Sequence, residues 1–311
     1  MATRTVVLAG GTGGAKLAAG LQDVVGADLS VIANTADDVE TLGVHVSPDP
    51  DLITYWLDGE IDAERGWGIR GDTSTVFERL VELGAPAWFK LTDRDLATCL
   101  RRREMLDAGA RPTDVQERIA TALGVAARVL PMSDDPVRTR VRTPAGWRGF
   151  QEYLILDRAA PPIEEIELAG AREASPTPEV LAALAAADAI VIGPSNPVIS
   201  IGPILAVPGI RDAIAVSPAP VVAVSPFVAG RAIKGPTERF MVAVGRDPSA
   251  GGTIAIYGEL LDGIVVDDSD PTPPPDRPPS LAIPTLMDDA DARRRVAERT
   301  LEFAASLRAD R

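Results

Sequence analysis

The chain has 311 residues, of which 46% are hydrophobic, so it can bury a full core as one large domain or as a core with an inserted lobe. Its formal net charge of −14 repels a phosphate backbone, which argues against nucleic acid as a partner. With one cysteine, Cys99, and one histidine, His45, an internal disulfide and a cysteine- or histidine-rich metal site are excluded. Any metal must be held mainly by oxygen, which favours magnesium, manganese or calcium.

No apolar run approaches the roughly 20 residues that a bilayer-spanning helix needs. The amino-terminal segment MATRTVVLAGG leads straight into a strand-like run and lacks the hydrophobic region of a signal peptide. We therefore expect a cytoplasmic protein without a membrane partner.

The chain begins as a β-α-β unit. Residues 6–9 and 29–33 are short apolar runs that end at turn signals, and residues 16–25 between them have a helical pattern. Four later apolar runs are also predicted to be strands: residues 189–193, 221–225, 253–257 and 264–266. Apolar strands separated by helices predict an α/β fold, with a doubly wound, mostly parallel Rossmann-like sheet covered on both faces.

Residues 51–150 are more highly charged and contain all four tryptophans, so we predict a mixed, helix-rich insertion lobe there. Residues 1–50 and 151–311 would then form the α/β core. Inside the lobe, Thr113 and Gln116 have the spacing of a helix capping box.

Three further signals lie in the second half of the chain. Thr177 and Pro178 are typical of an N-cap and a first helical position. The proline-rich residues 271–279 predict a loop, and residues 289–307 predict a carboxyl-terminal helix.

Residues 10–14, GGTGG, form a glycine segment between the first strand and its helix. Such a segment presents free backbone N–H groups and the positive end of the helix dipole, which favours phosphate. Neither common motif fits: Ala15 stands where a Walker A motif has glycine, and Lys16 stands where a dinucleotide motif has its third glycine. The alternative is a turn that only packs the helix against the strand.

The second predicted strand is followed by four carboxylates, those of Asp37, Asp38, Asp49 and Asp51. Ligands in open α/β sheets lie beyond the carboxyl ends of the strands, so Asp37 and Asp38 should lie close to the glycine segment. Carboxylates beside a phosphate require a hard cation such as magnesium between them. The alternative is that these residues cap helices and form solvated turns.

Two polar loops follow later strands. GPSNPVISIGP (193–203) and SPFVAGRAIKGP (225–236) offer serine, asparagine and lysine side chains on backbones stiffened by proline, and rigid turns are the alternative.

Inside the predicted lobe, WFKLTDRDLATCLRRR (88–103) places several charges behind two aromatic residues, which suits a pocket for a flat ring. The alternative is a helix start capped by Thr92 or Asp93, with a cationic outer face at residues 101–103. His45 and Cys99 read as ordinary packing residues.

In order, these motifs resemble the 2-phospho-L-lactate transferase family (CofD/FbiA) of coenzyme F420 biosynthesis over nearly the whole chain. The resemblance rests on GGTGGAKL (10–17), NTADD (34–38), SPDPD (47–51), GWG (66–68), TDRDLAT (92–98), LPMSDDPV (130–137), FQE (150–152), GPSNPVISIGPIL (193–205) and SP…KGP (225–236).

The resemblance implies a magnesium-dependent, homodimeric enzyme. It would transfer a phosphorylated three-carbon acid from its diphospho-5'-guanosine ester to the ribityl hydroxyl of the deazaflavin Fo, and release GMP. The implied nucleotide-binding residues are Gly10, Gly11, Thr12, Gly13, Gly14, Lys16, Ser195, Asn196, Ser200, Ser225, Lys234 and Gly235. The implied metal ligands are Asp37 and Asp49, the implied deazaflavin contacts are Asp51, Lys90, Asp93 and Arg94, and the implied catalytic residues are Asp49 and Asp51, where Asp51 either orients or deprotonates the hydroxyl.

Three positions depart from the usual family sequence: Pro50 replaces leucine, Thr92 replaces glycine and Cys99 replaces histidine. The three-carbon acid stays open among lactate, enolpyruvate and glycerate. One alternative function is a non-catalytic, nucleotide-sugar-binding regulator of the same superfamily. Another is a nicotinamide dehydrogenase, although the chain lacks the third glycine of that motif.

Overall fold

A computed structural model of the chain describes residues 3–309. The first two residues of the amino-terminal segment and the last two of the chain lie outside this range. The strands are β1 (Thr5–Ala9), β2 (Leu29–Ala33), β3 (Val39–Thr41), β4 (Val44–Val46), β5 (Arg128–Pro131), β6 (Arg138–Thr143), β7 (Gly146–Gly149), β8 (Glu165–Ala169), β9 (Ala189–Ile192), β10 (Val221–Val224), β11 (Phe227–Val228), β12 (Arg231–Ala232), β13 (Gly263–Asp267) and β14 (Ser280–Ile283). The helices are α1 (Gly11–Val25), α2 (Pro48–Leu57), α3 (Thr75–Glu82), α4 (Asp93–Asp107), α5 (Pro112–Ala122), α6 (Phe150–Ile155), α7 (Pro178–Ala186), α8 (Ile201–Ala206), α9 (Ile210–Ala215), α10 (Thr237–Ala243), α11 (Ala250–Tyr257) and α12 (Ala290–Ala309).

The centre of the fold is a seven-stranded sheet with the order β14-β13-β10-β9-β1-β2-β5. Every neighbouring pair in this sheet is parallel, which confirms the predicted doubly wound α/β fold. Successive residues of β1 face opposite sides of the sheet: Val6 and Leu8 pack in one apolar cluster, and Val7 and Ala9 in another. Helices α7, α8, α9 and α11 cover the first side, and α1, α2 and α12 cover the second.

Residues 51–150 contribute helices α3, α4 and α5, but they also supply β5 at the edge of the central sheet. A three-stranded antiparallel sheet, β7-β6-β8, continues past residue 150. The boundaries of the insertion lobe stay a prediction, because the same residues serve both the lobe and the core.

Several predicted elements are confirmed. Thr177 caps α7 by accepting a hydrogen bond from the N–H of Val180 at 3.2 Å, residues 271–279 form a loop, and α12 covers the predicted carboxyl-terminal helix.

Two local predictions are wrong. Residues 253–257 belong to helix α11, because Ser249 caps its first turn and Gly252 packs against the carbonyl of Asp247. The capping box at Thr113 does not form, because α5 already begins at Pro112 and Asp134 accepts hydrogen bonds from both the N–H and the hydroxyl of Thr113.

None of the helices in the described part of the chain has both the length and the apolar character that a membrane crossing needs.

The contact between α1 and α12 depends on Gly20. A Cβ at this position would lie 2.3 Å from the carbonyl oxygen of Arg293. Alanine normally stabilises a helix by up to about 1 kcal/mol relative to glycine, whereas overpacking typically costs about 1–3 kcal/mol. We therefore expect Gly20→Ala to lower the free energy of unfolding in a urea titration.

Gly251 is the matched control, because it is also helical and its added Cβ would lie 3.7 Å from Pro275. We expect Gly251→Ala to leave stability unchanged or to raise it. A Gly20→Ala variant as stable as the Gly251→Ala variant would contradict the close helix contact.

Candidate functional site

A cavity of about 640 Å³ lies at the carboxyl ends of β1, β9 and β10. Gly10 and Ser225, which line it, directly follow β1 and β10, and Pro194 lies just after β9. The sheet order diverges at β1, since β2 lies on one side and β9 on the other. Open α/β sheets bind ligands at such a switch point, so the fold itself favours a ligand site here.

Most of the predicted site residues share this cavity. Its lining includes Gly10, Gly11, Thr12, Gly13, Lys16, Asp37, Asp49, Asp51, Lys90, Ser195, Asn196, Ser200, Ser225, Lys234 and Gly235. Three predicted residues do not line it: Gly14, Asp93 and Arg94. Their predicted ligand contacts stay predictions, while the structure gives Gly14 and Asp93 other contacts.

The glycine segment packs closely against the loop that follows β9. A Cβ on Gly13 would lie 2.2 Å from the carbonyl oxygen of Pro194, and one on Gly14 would lie 2.4 Å from the hydroxyl of Ser195. Gly11 differs, because its φ is +61° and a Cβ there would meet nothing within 4 Å. The segment therefore combines tight packing at Gly13 and Gly14 with an open position at Gly11.

A carboxylate caps the amino end of α1. The N–H of Gly11 donates to Oδ1 of Asp49 at 2.7 Å, and the N–H of Gly10 donates to the hydroxyl of Ser195 at 3.2 Å. The amide of Asn34 donates to Oδ2 of Asp49 at 2.9 Å. Thus Asp49 already neutralises part of the helix dipole, and an anion bound there would meet the N–H groups of the next residues in the first turn.

The carboxylates of Asp37 and Asp49 form an electrostatically unfavourable pair. Burial, and then the charge of Asp49, raises the pKa of Asp37 well above its ordinary value, and burial raises the pKa of Asp49 to about 6. Among residues 3–309, Oδ1 of Asp37 is buried without a hydrogen-bond partner. An unpartnered carboxylate oxygen beside a second carboxylate fits a hard divalent cation, which prefers oxygen ligands.

Two lysines add positive charge to the cavity lining. Lys16 donates to the carbonyl of Met287 at 2.7 Å, and Lys234 donates to the carbonyl of Arg65 at 2.7 Å. Burial, and then the charge of Lys234, lowers the pKa of Lys16. Their combined charge favours an anionic group in the part of the cavity beside the glycine segment.

The other part of the cavity has aromatic walls. Trp88 and Phe89 stack edge to face with their ring centroids 5.3 Å apart, and the neighbouring Lys90 is exposed. Apolar walls with few charges suit a flat ring system.

A charged network lies behind this aromatic part. The two guanidinium nitrogens of Arg102 donate to the two carboxylate oxygens of Asp51, and the hydroxyl of Tyr55 donates to Asp95 at 3.1 Å. Burial raises the pKa of Asp51, although Arg102 opposes this effect. Burial, and then the charge of Asp51, raises the pKa of Asp95 to about 7.

Asp51, Asp95 and Cys99 have ligand-type atoms within 4.8 Å of one another. This group does not suit a cation, because the guanidinium of Arg102 already neutralises Asp51 and burial raises the pKa of the Cys99 thiol.

The carboxylate of Asp93 stabilises the start of α3. It accepts hydrogen bonds from the hydroxyl of Thr73 at 2.6 Å and from the N–H groups of Thr75 and Val76 at 3.2 and 3.0 Å. The expected cap by Thr92 is also absent, since Asp72 accepts from the N–H groups at the start of α4 and the Thr92 hydroxyl makes no such bond.

The expected cationic outer face at residues 101–103 is only partly correct. Arg101 and Arg103 are exposed, with 58% and 43% of their side chains accessible, whereas the Arg102 side chain is 4% exposed. His45 also differs from its prediction as a packing residue. Its two ring nitrogens lie 2.9 Å from Asp38 and 2.6 Å from Glu40, and these contacts outweigh burial and raise its pKa.

Tyr55 and Arg102 were not predicted as parts of the site. One signal for each is its helical spacing: Tyr55 follows Asp51 by one turn of α2, and Arg102 follows Asp95 by two turns of α4. Residues at these spacings lie on one face of a helix, so each points the same way as a carboxylate of the cavity.

The raised pKa of Asp95 predicts a pH-dependent stability. Folded Asp95 keeps its proton up to about pH 7, whereas the unfolded chain releases it near pH 4. Over this range the unfolded state binds fewer protons than the folded state. The contribution of Asp95 to the free energy of unfolding therefore falls by about 1.4 kcal/mol per pH unit as pH rises, and it is constant above pH 7. Urea titrations at pH 5–8 should show the stability of the wild type falling relative to that of Asp95→Asn.

Asp93→Asn is the matched control on the same helix. The Thr73 hydrogen bond lowers the pKa of Asp93, so this residue is ionised throughout pH 5–8 in both states. If the free energies of unfolding of the wild type and Asp95→Asn differ by the same amount at pH 5 and pH 7, the pKa of Asp95 is not raised.

Comparison with known proteins identifies the family of the chain. A family described as "2-phospho-L-lactate transferase CofD" matches residues 5–282. A phosphoenolpyruvate transferase of Streptomyces griseus is 42% identical over 98% of this chain and 100% of its own length. A 2-phospho-L-lactate transferase of Methanosarcina mazei is 40% identical over 85% of this chain and 87% of its own length.

The fold also has a solved counterpart. The crystal structure of a UPF0052 family protein from Bacillus halodurans matches with a TM-score of 0.64 at 18% identity, covering 97% of this chain and 99% of that protein. At this identity the likeness shows the fold alone. The family match and the two transferases show more: the chain is a member of the CofD family of transferases of coenzyme F420 biosynthesis.

Proposed function

We propose that the protein transfers a phosphoenolpyruvyl group from its diphospho-5'-guanosine ester to the ribityl hydroxyl of the deazaflavin Fo and releases GMP. The observation that carries this proposal is one cavity with two chemically different parts. The part beside the glycine segment has N–H donors, lysines and carboxylates, whereas the other part is aromatic. A reaction between a diphosphate ester and a ring compound needs both parts in contact.

The choice of enolpyruvate as the three-carbon acid rests on the relatives. Those that match nearly the whole chain, from several Streptomyces species and Thermobifida fusca, are phosphoenolpyruvate transferases. The 2-phospho-L-lactate transferases of methanogenic archaea match a shorter part of it. Lactate and glycerate are the alternatives that the experiment below separates.

In the proposed reaction, the hydroxyl oxygen of Fo attacks the phosphorus that carries the three-carbon acid. The new bond joins this oxygen to phosphorus, the bond from phosphorus to the bridging oxygen of GMP breaks, and the hydroxyl proton is lost. Lys16, Lys234 and the first-turn N–H groups of α1 would hold the diphosphate and stabilise charge on the leaving oxygen. Asn196 would add its amide, whose nitrogen has no hydrogen-bond partner among the described residues.

On the acceptor side, Trp88, Phe89 and Lys90 would hold the deazaflavin ring, and Asp51 would accept a hydrogen bond from the attacking hydroxyl. Holding both reactants in one cavity would supply the orientation on which phosphoryl transfer mainly depends.

We propose magnesium as the cofactor, held by Asp37 and Asp49. When bound, it supplies positive charge that neutralises the two carboxylates and the diphosphate. A homodimer and a cytoplasmic location remain predictions of the family resemblance.

The test of the reaction offers Fo and magnesium with the enolpyruvyl, lactyl and glyceryl diphosphoguanosines in separate assays. We expect mass spectrometry to find a mass gain on Fo and release of GMP, with the enolpyruvyl ester giving the highest kcat/KM. Lactyl or glyceryl transfer at a higher kcat/KM would correct the donor.

Asp107→Asn serves as the matched control for Asp51→Asn, because Asp107 is exposed, accepts a hydrogen bond from Arg103 at 2.9 Å and does not line the cavity. We expect the first variant to retain turnover and the second to lose most of it. No product with any donor, together with tight nucleotide binding, would refute the transferase and favour the regulator.

The metal proposal has its own test, which does not depend on turnover. Magnesium that binds only the folded protein should raise the melting temperature of the wild type. Asp37→Asn should abolish this rise. Because a buried carboxylate without a partner is costly, the same variant should melt higher than the wild type when magnesium is absent.

Asp38→Asn is the matched control, since Asp38 pairs with Ser47 at 2.7 Å and His45 at 2.9 Å and does not line the cavity. Magnesium should raise the melting temperature of Asp38→Asn as much as it raises that of the wild type. An undiminished magnesium shift in Asp37→Asn would rule out the proposed ligand.

A further inference from the structure

The ion pair between Arg102 and Asp51 connects two helices beneath the cavity. Arg102 lies on α4 and Asp51 on α2, and their side chains are 4% and 5% exposed. Nη1 of Arg102 donates to Oδ2 of Asp51 at 2.9 Å, and Nη2 donates to Oδ1. The planar guanidinium fork therefore meets both oxygens of one carboxylate, which fixes the orientation of that carboxylate as well as its position.

Arg102 is held in place by more than its ion pair. Nη1 lies 3.5 Å from the carbonyl oxygen of His45 and 3.9 Å from the sulfur of Cys99. Asp51 lines the cavity, but Arg102 does not. Arg102 is thus out of reach of a ligand in the cavity, and any effect on such a ligand passes through Asp51.

The fork also limits what Asp51 can offer to a ligand. An ionised carboxylate has about four acceptor positions, and the guanidinium uses one on each oxygen. The remaining positions are those available to a hydrogen-bond donor in the cavity. A carboxylate without the fork would rotate about its Cβ–Cγ bond and would offer no single direction.

We propose that Arg102 is a positioning residue of the transfer reaction, which orients the Asp51 carboxylate so that its free acceptor positions receive the attacking hydroxyl of the acceptor. This inference rests on the proposed function. It assigns no contact between Arg102 and either substrate.

The primary variant is Arg102→Lys, which keeps a positive charge beside Asp51 but loses the fork. Misplacement of a reacting group by about 1 Å can cost about 100-fold in rate. We expect kcat/KM for the deazaflavin acceptor to fall by about 10- to 100-fold, while KM for the diphosphoguanosine donor stays within about twofold of the wild type.

Arg101→Lys is the matched control on the same helix. Arg101 is 58% exposed and pairs with Glu104 at 2.6 Å at the surface. We expect wild-type kinetic constants from this variant. Melting temperatures and circular dichroism of both variants show whether they are folded.

A double-mutant cycle with Asp51→Asn separates positioning from a general structural effect. If Arg102 acts through Asp51, Arg102→Lys has no further effect on acceptor kcat/KM in the Asp51→Asn background. If Arg102→Lys does not fold, Asp51→Asn combined with Arg102→Gln is compared with Asp51→Asn alone, and we expect equal kinetic constants.

The outcomes distinguish this inference from the proposed function. A wild type without turnover refutes both. Two results with an active wild type refute only the positioning role. In the first, Arg102→Lys leaves the acceptor kcat/KM unchanged. In the second, the decreases in acceptor kcat/KM caused by Arg102→Lys and Asp51→Asn add in the double variant. The positioning role is also refuted if Arg102→Lys lowers kcat/KM equally for donor and acceptor, in proportion to a fall in its melting temperature.

Discussion

The contact between the Asp49 carboxylate and the amino end of α1 is the constraint on which the site depends. It joins the end of β1, the start of α1 and the first turn of α2 through a single side chain, and Asn34 holds that side chain from β2. The contact requires the backbone at Gly10 to come very close, because a Cβ there would lie 2.7 Å from Oδ2 of Asp49. An anion bound beside α1 would therefore meet a helix dipole that the protein has already partly compensated.

The cavity contains both signs of charge, although the chain is acidic overall. Lys16 and Lys234 line it together with Asp37 and Asp49, two carboxylates with raised pKa values. Burial, more than the number of acidic residues, sets the electrostatics here. The Arg102 guanidinium makes Asp51 an exception, since it alone among these carboxylates has a buried cation against both oxygens.

The sequence predicts the sheet well where a strand is buried on both faces. The runs that became β1, β2, β9, β10 and β13 are predominantly apolar, because both sides of each strand pack against helices. The run TIAIY at 253–257 has the same local character and became a helix instead. This segment is helical because Ser249 caps the helix and Gly252 lies close to Asp247. Both contacts involve residues that precede the run, so the run alone does not predict the helix.

The candidate site is predictable to the extent that its residues lie at strand ends. Asp37, Ser195 and Ser225 follow from that rule, since the carboxyl ends of neighbouring strands meet. This rule does not predict which of the three consecutive arginines, residues 101–103, is buried. That depends on how α4 is rotated against β4 and α5, since Leu96 and Cys99 pack in the cluster that contains Val44 and Val46, and Met105 packs against Val115 and Ile119.

The packing of the glycine segment restricts which of its positions can accept another amino acid. The spaces that side chains would fill at Gly13 and Gly14 are occupied by Pro194 and Ser195, so these positions are closed to substitution for reasons of folding. A sequence library across residues 10–14 selected only for solubility should return the same glycines at 13 and 14 as one selected for catalysis. Glycine at positions 13 and 14 therefore reflects the proximity of the backbone, and changes in ligand preference arise at cavity residues with exposed side chains, such as Lys90.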